Sequence, residues 1–131
     1  MEQVREASEI FERLGDAVKQ AKCFITLAWA LYDDRQIDAA EEAALRAIEL
    51  LPENGQRFLV CQGHRLLGCI YSSKGDREEA AHHFEIALEI ATSINSPDAL
   101  FWIHFAMADM FSKQSRFDAA HDYIEIGRAH V

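Results

Sequence analysis

Residues 64–87 read HRLLGCIYSSKGDREEAAHHFEIA. His64, Leu67, Gly68 and Tyr71 recur at helical spacing, which puts them along one side of a helix. Gly75 can take the positive φ that ends this helix, and Asp76 is placed to begin the next. Ala80, Phe84 and Ala87 then resume the same spacing. The stretch predicts two antiparallel helices joined by a tight turn, with small residues where the helices come closest.

The same punctuation divides the rest of the chain. Gly15-Asp16, Asp34-Arg35-Gln36, Pro52 to Gly55, Asn95-Ser96-Pro97 and Gln114-Ser115-Arg116 are the other candidate turns. Ser96 can cap a helix that opens with Pro97 and Asp98, the preferred order at a helix N-terminus. Seven helices are expected, at roughly 2–14, 16–33, 37–51, 56–74, 77–94, 97–114 and 117–130. With 20 Ala against 4 Val and 2 Thr, the composition favours helix over strand throughout.

Displaced by 40 residues, the chain matches itself without an insertion. Ala7, Ala47, Ala87 and Gly127 coincide, as do Ala40, Ala80 and Ala120, and Ala28, Gly68 and Ala108. Large apolar residues hold other phases: Leu31, Tyr71 and Phe111; Leu27, Leu67 and Met107; Ile10, Leu50 and Ile90. Three periods leave 11 of the 131 residues over, so 1–11 and 121–131 fall at equivalent places and the chain is expected to begin and end inside a repeat. The expected division is a half unit at 1–20, full units at 21–60 and 61–100, and a truncated unit at 101–131.

The order W-x2-L-G-x2-Y, A-x3-F, A, P marks tetratricopeptide repeats. The middle unit has His64-x2-Leu67-Gly68-x2-Tyr71, Ala80-x3-Phe84 and Ala87, lacking only the opening Trp and the closing Pro. The first full unit has Phe24-x2-Leu27-Ala28-x2-Leu31, Ala40-x3-Ala44, Ala47 and Pro52. The third has His104-x2-Met107-Ala108-x2-Phe111, Ala120-x3-Ile124 and Gly127. Over 21–131 the chain therefore resembles tetratricopeptide repeat proteins, with a period of 40 where about 34 is usual. FLVCQGHRLLG and FEIALEIA further resemble the long-period arrays at the C-terminal end of fungal and bacterial signalling NTPases.

The resemblance implies a single all-α domain, a right-handed superhelical solenoid of antiparallel helix pairs that works as a protein-interaction scaffold. The first helix of each pair would line a concave groove and bind an extended peptide or a partner helix. Carried over residue by residue, that groove contains Lys22, Ile25, Trp29, Tyr32 and Asp33; then Gln62, Arg65, Cys69, Ser72 and Ser73; then Trp102, Phe105, Asp109, Ser112 and Lys113. Trp29, Tyr32, Trp102 and Phe105 are rings of the kind enriched at binding hot spots. The clamp with which some members of the family hold a chaperone's terminal carboxylate has no counterpart, since Ile25 and Trp29 stand at its first places.

Other functions find no support in the residues. A net charge of −9 with no Lys/Arg run of three argues against nucleic acid. No apolar stretch approaches a membrane span, and Glu2, Gln3, Val4 and Arg5 do not open a secretory signal, so a cytoplasmic location is expected. Cys61 and Cys69 lie about 12 Å apart along one helix, too far for a disulfide or a shared metal. His82 and His83 are neighbours, unable to share an ion easily, while His64 and His104 occupy the slot of the family Trp and read as packing residues. Glu41, Glu42, Glu78, Glu79, Glu85 and Glu89 are expected on a solvated convex wall. No nucleophile elbow, phosphate loop or HExxH occurs, so neither an enzyme nor a cofactor or metal is expected.

A rival reading is self-assembly. Val4, Ile10, Phe11 and Leu14 on the first helix, and Tyr123, Ile124, Ile126 and Val131 on the last, are apolar residues without a capping helix. Such ends favour dimerisation, end-to-end stacking or exchange of a terminal helix.

Overall fold

A computed structural model describes residues 2–13, 15–52 and 55–129, with the side chains of Phe11, Gln114 and 116–129 outside the description. The described chain is all helix, as an all-α solenoid requires: α1 (Glu2–Arg13), α2 (Ala17–Asp33), α3 (Ile37–Leu50), α4 (Arg57–Ser73), α5 (Arg77–Ser93) and α6 (Pro97–Ala129). Consecutive helices pack in pairs, and α2–α4 and α4–α6 also touch. The first helices of successive units thus form one continuous layer, flanked by α1, α3 and α5.

Local chemistry sets these boundaries. Gly15 and Gly75 take φ of 69° and 82°, and Asp16 and Asp76 behind them accept the backbone N–H groups of Lys19 and Glu79. Arg35 and Asn95 reach the same left-handed region without being glycine, at φ of 63° and 52°. At each of the turns after α2, α4 and α5 the next amide reaches back five residues: Gln36 to the Leu31 carbonyl, Asp76 to Tyr71, Ser96 to Ala91. The Ser96 hydroxyl accepts from the Ala99 N–H at 3.3 Å, as its position before Pro97 requires.

Small residues carry the close approaches. Ala28, Ala40, Ala44, Ala47, Ala80, Ala87 and Ala91 are fully buried, and the largest fully buried side chains are Phe84, Leu66, Leu67, Ile70 and Ile103. The Phe84 ring lies so close over Gly68 that a Cβ there would sit 2.5 Å from it. One cluster joins α2, α3 and α4 around Leu27, Leu31 and Leu66, and another joins α4, α5 and α6 around Phe84, Ile90 and Ile103.

Two polar contacts modify the expected walls. Glu41 is not simply solvated: it pairs with Lys74 at 2.5 Å and accepts the Tyr71 hydroxyl at 3.4 Å, while Asp38 holds the same Lys74 at 2.8 Å. His64 and His83 meet Nδ1 to Nδ1 at 2.9 Å across the α4–α5 interface, so one ring donates and the other accepts. Tyr71 stacks on the same His83 ring at 5.4 Å. His64 thus packs as its slot implied, with a specific polar partner.

The main correction concerns the seventh helix. Among the described residues six helices stand where about seven were expected, because residues 97–114 and 117–129 form one α6 of 33 residues. The equivalent turns are Asp34-Arg35-Gln36 and Lys74-Gly75-Asp76, closed either by glycine or by an Asp34–Gln36 side-chain bond of 2.6 Å. Gln114-Ser115-Arg116 has no glycine for the left-handed position and no acceptor at the capping position. Left-handed backbone at a non-glycine residue costs roughly 1–2 kcal/mol, and a missing cap about 1 kcal/mol more. Continuing the helix satisfies every backbone group instead. Of the terminal apolar residues, Val4 packs against the α2–α3 core and Ile10 is 51% exposed. Phe11, Leu14, Tyr123, Ile124, Ile126 and Val131 lie outside the described side chains.

Candidate functional site

The layer of first helices carries a trough. Its middle is a cavity of about 210 Å³ where α2, α4 and α6 meet, lined by Trp29 and Tyr32, Arg65 and Cys69, and Trp102, Phe105 and Asp109. Helical spacing places these residues there, since each set recurs every three or four positions on its own helix. A second hollow of about 210 Å³ shares Arg65 and Trp102 and extends to Phe58 and Asp98. A third, of about 560 Å³, shares Tyr32, Ser72 and Lys113 and extends to Asp33 and Ser73. Shared walls make the three one trough crossing successive units.

Nine of the fifteen residues expected in the groove line its central cavity, and Gln62, Asp33 and Ser73 line its extensions. Ser112, Ile25 and Lys22 do not. Ile25 is 5% exposed and packs with Ala21, Ala47, Leu51 and Leu59, so its branch of the α2 stripe faces the core. Lys22 is exposed on the α1 side of α2, beside Val4, Ala7 and Thr26. Phe58 and Asp98 were missed, although running the Gln62–Arg65–Cys69 stripe back one turn on α4 leads to Phe58. Phe84 also reaches the cavity from α5, through the opening that Gly68 leaves. A separate hollow of about 460 Å³ lies among α1, α2 and α3 and includes none of these residues.

The rings are presented rather than packed away. Trp102 is 50% exposed and Phe105 60%. With Phe101 they form a ring cluster whose centres lie 5.2–6.4 Å apart, and Trp29 meets Tyr32 edge-on at 5.9 Å. Arg65 lies over one of these rings, its guanidinium carbon 4.8 Å from the centre of the Trp29 ring. Burial lowers the Arg65 pKa from its ordinary value, but a guanidinium stays charged. Among the described residues no carboxylate lies within ion-pair distance of it. In the same cavity Asp109 holds Lys113 at 3.1 Å, which raises the Lys113 pKa. Burial pushes the Cys69 thiol up to about 11, leaving it a neutral wall and not a nucleophile. Among the described residues, no three His, Cys, Asp or Glu side chains gather as a metal site would need. No described helix is long and apolar enough to cross a membrane.

Residues 64–97 match the model of the tetratricopeptide repeat family. The chain is tetratricopeptide-like. The match covers α4 from His64 onward, its turn and α5, and ends at the Ser96–Pro97 cap. No curated protein and no solved structure matches the chain. Tetratricopeptide repeats generally mediate protein–protein interaction.

Proposed function

We propose that the trough binds an extended acidic segment of a partner protein, with Arg65 taking a carboxylate between the Trp29 and Trp102 rings. The observation that carries this reading is the half-buried guanidinium without a carboxylate of its own among the described residues. Burial has already removed part of its water, so a ligand carboxylate would form a charge-assisted bond where solvent competes weakly. Trp102 and Phe105 would supply apolar anchors, and the Ser72 hydroxyl with the Asp109–Lys113 pair would orient the backbone. The resemblance to the repeat tails of signalling NTPases fits a section of a larger signalling protein that receives a partner. A cytoplasmic scaffold without catalytic activity is the role consistent with this chemistry.

Capture from lysate tests the site as a whole. A Trp29→Ala, Trp102→Ala double variant should lose the partners that the natural chain retains, with its helical circular dichroism unchanged. Retention of the same partners by the folded variant would count against the trough.

A further inference from the structure

The faces covered by second helices are equivalent from unit to unit. On α2 the face is Ala21, Phe24, Ala28 and Leu31, buried or half-buried against α3. On α4 it is Cys61, His64, Gly68 and Tyr71, all in contact with α5: the Cys61 thiol donates to the Ala87 carbonyl at 3.4 Å, Phe84 covers Gly68, and His83 stacks on His64 and Tyr71. One period on, the face of α6 is Phe101, His104, Ala108 and Phe111, and all four are exposed, Phe101 at 61% and Phe111 at 48%. From α5, Arg77 reaches its edge, 6.0 Å from the centre of the Phe111 ring.

The sequence register that would cover this face is carried by α6 itself. Ala120, Ile124 and Gly127 stand one period after Ala80, Phe84 and Ala87. Because α6 is unbroken, residue 120 lies about 18 Å along the axis from residue 108 and cannot fold back on it. We propose that a second copy of the chain covers the face: two α6 helices lie antiparallel, the 117–129 half of each on the 101–111 face of the other. With the two-fold axis near residue 114, position 111 falls opposite 117, 108 opposite 120, 104 opposite 124 and 101 opposite 127, so both faces are matched at once.

Volume complementarity supports the pairing independently. Gly68 faces Phe84, whose ring leaves no space for a Cβ, whereas Ala28 has Ala44 at the corresponding place. The third unit combines Ala108 with Ile124, a larger floor with a smaller cover. The dimer leaves the trough open, because Trp102 and Asp109 line the side of α6 that faces α4.

Light scattering on the full chain tests this interface, with a mass twice 14.9 kDa expected. Ser115→Gly with Arg116→Asp gives the third unit the Gly-Asp turn of the second and should shift the mass to a single copy, helicity retained. Ala108→Cys with Ala120→Cys distinguishes the geometry: oxidation should yield a covalent dimer on a non-reducing gel, absent from the parent chain with its three native thiols. A natural chain that is monomeric would overturn the proposal. So would introduced thiols that close only within one chain, or a dimer in which they fail to cross-link.

Discussion

Gly68 has no room for a side chain, since a Cβ would meet three atoms of the buried Phe84 ring within 2.8 Å. Gly68→Ala should therefore destabilise the chain by about 1–2 kcal/mol in urea unfolding, the overpacking outweighing the helix propensity gained. Adding Phe84→Ile, the combination that the third unit carries, should recover part of that loss. The His64–His83 contact predicts a pH response. Burial, then His83 and His82, lowers the His64 pKa from 6.5 to about 4, and burial and His82 lower that of His83 against the opposing pull of Glu79. The unfolded chain takes up protons before the folded one, so stability is complete above about pH 6.5 and falls as pH drops toward about 4. After allowance for partial solvent screening the loss is about 2 kcal/mol. His64→Leu should flatten this slope when urea midpoints are compared across that range, and an unchanged slope would show that the pair does not titrate as described.

At the scale of elements, capping separates turns of nearly identical backbone. Asp16, Gln36 and Asp76 precede their helices with similar dihedral angles, but only the two aspartates accept a backbone N–H. Gln36→Asp should add about 0.5–1 kcal/mol, and Asp76→Ala should cost about 1 kcal/mol, both read from thermal or urea midpoints. Five of the helices were legible because their ends carry chemistry visible in single residues: Gly-Asp, Ser-Pro and the Pro52 break. Gln114-Ser115-Arg116 was read as a turn with the others, but it holds neither glycine nor proline, and there the local preference for continued helix prevailed. The family resemblance, carried over residue by residue, put the aromatic floor and Arg65 on one face, and they line one trough. It misplaced Ile25, because a stripe at three- and four-residue spacing spans enough of α2 for one edge to turn into the core.

Across the whole molecule, a net charge of −9 surrounds a trough whose half-buried central cation, Arg65, has no carboxylate within ion-pair distance among the described residues. On the proposed reading an acidic segment would be repelled at a distance and held at contact. Salt screens the long-range repulsion over about 10 Å at 0.1 M but affects a half-buried contact much less. The association rate for an acidic peptide should thus rise with moderate salt while its dissociation rate changes little, a pattern that stopped-flow fluorescence of Trp29 and Trp102 can follow. A falling association rate would place the attraction on the outer surface instead. The most direct test of the account is calorimetric titration with extended peptides that differ at one position, Glu against Gln. The account predicts that the Glu peptide binds about 10- to 100-fold tighter, the range of a charge-assisted bond, and that Arg65→Gln abolishes the difference. Equal binding of the two peptides, or a preference for Glu that survives Arg65→Gln, would contradict it.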